Sequence, residues 1–314
     1  IKYLIKQKQY KTYEPVEIAI NVKEETRAII EENKIFLDGV EIIEKPLRKY
    51  PNGDFASHII GYMGKIGSDL DEMIKKGYNP SDLIGKSGIE YSMEQYLKGK
   101  DGIKQIEVDV KGSLVNTIDV SNPEPGDTVF LTIDTKLQQV AEQALADTMQ
   151  KINQGKTSAA AVAIDVNSGA ILAIASAPKF DPNLFSGGIK TEDWESLQPK
   201  SEDRYAPKPL INNAISSPLP PGSTMKMLTI AAGLNEGKIS PTEMVYCTGR
   251  YTVVPNVAPR DAHGAVHGNQ STIGALMRSC NYYFFEVGRR IGGETFEKYA
   301  ERFGFGKYTG IELP

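Results

Sequence analysis

"AAAVAIDVNSGAILAIASAP", residues 159–178, is the stretch whose reading decides the fold. Two apolar runs are broken by Asn167, Ser168 and Gly169, the residue types that turn a chain tightly, so the spacing predicts strand, turn, strand. Both runs are apolar at nearly every position, which predicts a sheet covered on both faces. Upstream, "TKLQQVAEQALADTMQ" (135–150) carries Leu137, Val140, Ala141, Ala144 and Met149 at roughly helical spacing, a long amphipathic helix. "TVFLTID" (128–134) reads as a strand leading into it. Downstream, a helical block opens near Ser223. Helices beside an antiparallel sheet place this region in the α+β class.

Working outward to the N-terminus, residues 1 to about 122 mix alternating stretches such as "EPVEIAINV" with helix-like runs such as "KEETRAIIEEN", with turns at "PNGD" and "PSD". "SNPEPGDTV" (121–129) concentrates Pro, Gly, Asn and Asp and is the expected domain junction. The expected domains are therefore 1–122 and 123–314. Composition supports a globular chain: 314 residues, 40% hydrophobic and 24% charged, are enough for about two domains. A net charge of −4 gives no basic footprint, so we expect no nucleic-acid partner. There is no uninterrupted apolar run of about 18 residues and no signal peptide, so these residues supply no membrane span. The abrupt opening "IKYLIKQKQY" leads us to expect an anchor upstream.

"PPGSTMKML" (220–228) carries the first chemistry. A serine hydroxyl is protonated at neutral pH and needs a base within hydrogen-bond reach to become a nucleophile. Residues three apart share a helix face, so Lys226 can sit beside Ser223, and burial would lower its pKa toward that of a base. Free N–H groups and the positive dipole at the helix start would help to hold an oxyanion. The competing reading is a serine that only caps the helix. Downstream, in "MRSCNYYFFEVG" (277–288), Ser279 and Asn281 add a second hydroxyl and an amide in an S-x-N pattern. The "YYFFE" run reads as core helix.

Taken in order, these segments resemble the class B penicillin-binding proteins, most closely the penicillin-binding protein 2 branch. "RKYPNGDFASHIIGYMG", "GKSGIEYSMEQYLKGKDG", "PGDTVFLTIDTKLQ", "ASAPKFDPNLF", "PPGSTMK", "SCN" and "FGFGKYTGIELP" each match a family segment, and they follow the family's order. The resemblance implies an elongated N-terminal non-catalytic pedestal of the dimerisation type, followed by a transpeptidase domain with helices flanking an antiparallel sheet. It implies a membrane-anchored enzyme on the outer face of a bacterial cell membrane that cross-links peptidoglycan stem peptides through a serine acyl-enzyme. β-Lactams would acylate the same serine. Ser223 would be the nucleophile, Lys226 the base, Ser279 the proton relay and Asn281 a substrate contact. The pedestal would dock a membrane glycosyltransferase and other elongation proteins. Rival readings are a β-lactamase, for which no water-activating base is evident, a β-lactam sensor, and a scaffold in which the catalytic half contributes little.

The family's third motif, K-T-G or K-S-G, does not follow S-x-N in these residues. "KYTG" at Lys307–Gly310 has an extra residue and "KSG" at Lys86–Gly88 precedes the nucleophile, so the transpeptidase domain is expected to be incomplete here.

Both cysteines and two of the three histidines fall within 247–280. Thiolate, imidazole and carboxylate are zinc donors, and the loop between them is rich in Gly and Pro. The preferred ligand set is Cys247, Asp261, His267 and Cys280, with His263 as substitute, and some members of the penicillin-binding protein 2 branch resemble it with a zinc site beside S-x-N. A Cys247–Cys280 disulfide, or two buried thiols with surface histidines, are the alternatives. His58 is expected to be a packed residue of the N-terminal domain, and Trp194 a loop or groove contact.

Overall fold

The structure is a computed structural model. It describes residues 16–20, 22–37, 39–43, 47–108, 114–153, 157–201, 206–218 and 220–314. Most of "IKYLIKQKQY…EPVEIAINV" lies outside the described residues, and Val16–Ile20 form no strand. By internal contacts the chain divides into two compact units, residues 1–217 with 312–314, and residues 218–311. The Pro- and Gly-rich segment 121–129 lies within the first unit.

In the first unit, α1 (Glu24–Glu32) is followed by the short antiparallel pair β1 (Met63–Lys65) and β2 (Leu83–Gly85), then the ribbon β3 (Ile103–Val108) and β4 (Leu114–Ser121). The 159–178 stretch forms the predicted hairpin: β5 (Ala159–Ile164) pairs antiparallel with β6 (Ile171–Ala177), Val162 opposite Ile174. The long helix α2 (Thr135–Asn153) packs against this pair. Burial differs between the strands. β6 is buried from Ala173 to Ala177 on both faces, but β5 alternates, leaving Val162 and Ile164 about half exposed, so the double coverage predicted for the hairpin holds for β6 alone.

The strand expected at 128–134 is absent: Thr132 Oγ1 donates to Ile171 O (2.7 Å) and Asp134 N to Leu172 O (2.8 Å), and the chain then turns into α2. Beyond that point a side chain takes over. Gln138 is fully buried; its Oε1 accepts from Ile174 N (2.8 Å) and its Nε2 donates to Ile174 O (3.0 Å) and to Glu142 Oε1 (2.8 Å). One amide thus satisfies the two backbone groups of Ile174 that β5 does not reach. Gln138→Met keeps the volume but strands both groups, each at a cost of about 1–3 kcal/mol. A urea midpoint that falls with an unchanged slope is the expected outcome; a shift worth less than about 0.5 kcal/mol, the usual range for an inconsequential substitution, contradicts it.

His58 is packed as expected, with Nε2 2.7 Å from Pro209 O and its ring edge-on to Phe180 at 5.3 Å. Burial pushes its pKa below the usual value. Trp194 lies on helix α3 (Thr191–Leu197) rather than in a loop, and is 43% exposed.

In the second unit, α4 (Met225–Asn235) packs on the long helix α6 (Asn281–Arg302), with the antiparallel pair β7 (Val245–Cys247) and β8 (Gly268–Gln270) and the short α5 (Thr272–Met277) alongside. Leu228, Ala232, Cys247, Ala275, Cys280, Tyr283, Phe284 and Val287 form its core. Gly233 allows the two long helices to approach: a Cβ there would meet Val287 Cγ1 and Ile239 Cδ1 at 3.0 Å. "YYFFE" is core helix as read, with Tyr283 fully buried and its hydroxyl 2.7 Å from Thr272 Oγ1. Among the described residues no helix is long and apolar enough to cross a membrane.

Candidate active site

Pro220, Pro221 and Gly222 lead into one 3-10 turn, Gly222–Thr224, which runs directly into α4. Ser223 therefore sits just ahead of the helix and is exposed, while Lys226, one turn on, is buried at 8% exposure. The N-cap positions of the turn and of α4 fall to Pro221 and Thr224, neither making a side-chain capping bond, and the Ser223 Oγ accepts from Ser279 Oγ at 2.9 Å. The Lys226 ammonium donates to Ser279 O (2.7 Å), Ser279 Oγ (2.9 Å) and Asn281 Oδ1 (2.6 Å). Three donors meet three acceptors, and the Asn281 amide is oriented by its need to accept.

The sequence placed Lys226 directly beside Ser223. The structure interposes Ser279, and among the described residues no hydrogen bond joins Lys226 to Ser223. The reason is tertiary: the start of α6 brings a carbonyl, a hydroxyl and an amide oxygen to the ammonium. Ser279 has φ +53°, a left-handed conformation that costs a non-glycine residue about 1–3 kcal/mol. In that conformation its carbonyl and hydroxyl oxygens both reach one lysine. Burial lowers the pKa of Lys226, opposed by the nearby Asp261 and Cys280. A hydroxyl between a serine and a buried amine can pass a proton either way by rotating.

Behind this line lie Cys247, Asp261, His267 and Cys280, whose donor atoms are all within 4.8 Å of one another. Cys247 Sγ is 3.5 Å from Asp261 Oδ2 and 3.8 Å from His267 Nδ1, and His267 Nδ1 is 3.2 Å from Asp261 Oδ2. Both cysteines are free and buried. His263 is outside this group, exposed on the turn Ala262–Gly264. Burial pushes the Cys280 thiol up to about 12. Burial also raises Asp261, but hydrogen bonds from the Cys280 thiol and from three backbone N–H groups outweigh it and hold its carboxyl at about 2.

Asp261 has a second task that the sequence did not announce. Its Oδ1 accepts from Asn281 N (3.0 Å) and its Oδ2 from Tyr282 N (3.3 Å), so a loop residue closes the N-terminus of α6, where unpaired N–H groups and the positive dipole favour a carboxylate. A capping residue twenty positions upstream of its helix leaves no local signal to read.

An exposed serine one turn ahead of a buried lysine, with an S-x-N segment joining them on this α+β frame, defines a class, and the chain belongs to it: the penicillin-binding proteins. Residues 1–131 match the penicillin-binding protein dimerisation domain and residues 159–314 the penicillin-binding protein transpeptidase domain. Within the family, the chain is 34% identical over 304 residues to the peptidoglycan D,D-transpeptidase MrdA of Acinetobacter baumannii, covering 96% of this chain and 43% of that protein. It is 31% identical to MrdA of Escherichia coli K12, covering 95% and 46%. The chain thus spans about half the length of the curated relatives it matches. Among solved structures, it superposes with a TM-score of 0.77 on PBP2 in a complex with MreC from Helicobacter pylori (27% identity, 100% of this chain and 56% of that one). Pseudomonas aeruginosa PBP2 bound to WCK 5153 gives 0.66 (32% identity, 85% and 52%).

Proposed function

We propose that the whole protein is a peptidoglycan D,D-transpeptidase that works through a Ser223 acyl-enzyme. The hydrogen-bonded line Lys226 Nζ, Ser279 Oγ, Ser223 Oγ carries this reading. With Lys226 neutral, Ser223 gives its proton to Ser279 Oγ as Ser279 gives its own to Lys226 Nζ. The Ser223 oxygen then attacks the penultimate D-Ala carbonyl of a stem peptide. Collapse of the tetrahedral adduct breaks the amide bond, and the departing D-Ala amine takes the proton back along the same line, leaving an ester on Ser223. An amine of a second stem attacks that ester by the reverse sequence, forming the cross-link and restoring the serine. Asn281 holds Lys226 through Oδ1, which leaves its Nδ2 for a substrate carbonyl.

The same reading includes a structural zinc. Its bonds of about 2.0–2.3 Å put tetrahedral corners about 3.3–3.8 Å apart. The separations of 3.2, 3.5 and 3.8 Å among Cys247, Asp261 and His267 fit that spacing, and the two thiols, imidazole and carboxylate are a zinc-type donor set. The metal would supply charge that binds Cys280 in place between Ser279 and Asn281. The protein would act outside the cytoplasmic membrane, with its N-terminal half contacting elongation partners; the solved complex of H. pylori PBP2 with MreC supports a partner of that kind.

Intact-mass measurement of the full-length protein after penicillin treatment tests this reading, with and without a zinc chelator. The expected outcome is one stable adduct on Ser223 that forms more slowly after chelation. No adduct overturns the transpeptidase reading, rapid turnover of the adduct favours a β-lactamase, and an unchanged rate in chelated, metal-free protein removes the zinc. An adduct without D-Ala release from a stem pentapeptide favours a sensor or scaffold.

A further inference from the structure

The loop between Cys247 and Asp261 is fastened to α6 at two places, and only one of them is Asp261. The second is Tyr251, which is 3% exposed although it lies in a loop. Its hydroxyl donates to Glu286 Oε2 at 2.5 Å, and its ring stands edge-on to Tyr282 at 5.1 Å. Glu286 is buried as well, and its carboxylate is fully engaged. Arg289 reaches both oxygens at 2.8 and 3.0 Å, and Arg290 Nε reaches Oε1 at 2.7 Å. Arg290 in turn donates to Glu243 at 2.5 Å, just before β7, so the same cluster also ties down the entry to the loop.

Tyr251 and Asp261 are ten residues apart in sequence but joined by a short ladder. Tyr251 N donates to Pro259 O and Asp261 N to Gly249 O, each at 2.9 Å, across the Arg250–Arg260 bridge. A displacement of Tyr251 is therefore carried to Asp261 by paired backbone. On α6, Glu286 lies five residues beyond Asn281, about 7.5 Å along the axis at 1.5 Å per residue. One attachment would let the loop pivot about Asp261, whereas two at that separation set its angle to the helix. The angle matters because Asp261 accepts from Asn281 N and Tyr282 N, and Asn281 and Ser279 hold Lys226.

We propose that Tyr251 and Glu286 are positioning residues: a clasp that seats Asp261 on the start of α6 and so keeps Ser279 and Asn281 in register with Lys226. The inference about rate rests on the acyl-transfer reading above; the inference about the clasp does not. The test uses the full-length protein carrying Tyr251→Phe, which removes one oxygen and keeps the ring, with Glu286→Ala and Glu286→Gln as a graded pair. Two quantities are measured well below the unfolding temperature: hydrogen exchange of the amides at 281–282, and the second-order rate of penicillin acylation.

Tyr251→Phe is expected to speed exchange at 281–282 about tenfold, leave exchange within 228–234 unchanged, and slow acylation about 5- to 30-fold. Glu286→Ala does the same, and Glu286→Gln, which can still accept from the hydroxyl but sets an amide NH2 against an arginine N–H, recovers part of both. A merely structural role would lower the unfolding midpoint without moving the acylation rate. Wild-type exchange at 281–282 in Tyr251→Phe overturns the clasp. Faster exchange with acylation within twofold of wild type overturns the positioning role. Should the unaltered protein fail to acylate, the functional reading falls while the exchange result still decides the clasp.

Discussion

Ser223→Ala is expected to abolish the covalent penicillin adduct, and Lys226→Ala to slow its formation by about a thousandfold or more, with neither change unfolding the protein. On the proposed mechanism the serine effect should be absolute, because the bond would form on its oxygen. The lysine effect follows from proton transfer: a positioned base is worth roughly 10²–10⁴ in rate, and Lys226 supplies the amine base in the hydrogen-bonded line from Ser223. A thousandfold loss corresponds to about 4 kcal/mol of transition-state stabilisation.

Two further arms separate a base from a fixed charge. Lys226→Arg keeps the cation but cannot deprotonate, so it should be nearly as slow as alanine. The acylation rate of the unaltered protein should rise with pH, because only neutral Lys226 can take the proton. Since burial lowers the lysine's pKa, the rise should be centred below the ordinary 10.5. Second-order acylation rates by stopped flow across pH check both. An arginine variant that acylates at the normal rate would show that charge alone suffices.

Asp261→Ala is the second large effect, and it strikes stability and rate together. The carboxylate accepts from the N–H groups of Ala262, Asn281 and Tyr282 and faces Cys247 and His267, with its side chain fully buried. Removing it leaves buried donors without acceptors at about 1–3 kcal/mol each, and takes a negative charge from a helix N-terminus, worth up to about 2 kcal/mol. Because these contacts share one group they do not add in full, and a total of roughly 3–5 kcal/mol is expected. The urea midpoint measures it. Acylation should fall as well, since the same N-terminus presents Ser279 and Asn281 to Lys226. Asp261→Asn retains an acceptor and should lie between. Loss of stability with an unchanged acylation rate would separate the helix cap from the site.

Much of this protein was determined by sequence over short distances. The hairpin at 159–178 and the helix at 135–153 follow from periodicity and turn residues that act within a few positions. Ser223 and Lys226 were legible because one helical turn separates them, and Cys247, Asp261, His267 and Cys280 because rare donor types crowd into one Gly- and Pro-rich loop. What only tertiary structure decided are relations between distant positions. Ser279, 56 residues from Ser223, stands between it and Lys226 because the start of α6 outcompetes the local i, i+3 contact for the ammonium. Gln138 occupies the backbone of β6 where a strand at 128–134 was expected, since a buried amide supplies a donor and an acceptor together. Asp261 caps a helix twenty residues downstream, and Tyr251 meets Glu286 across 35. Periodicity reports which face of an element is apolar; it carries no record of which buried hydrogen-bonding group will find another, because that pairing is settled only when the elements pack and water is excluded.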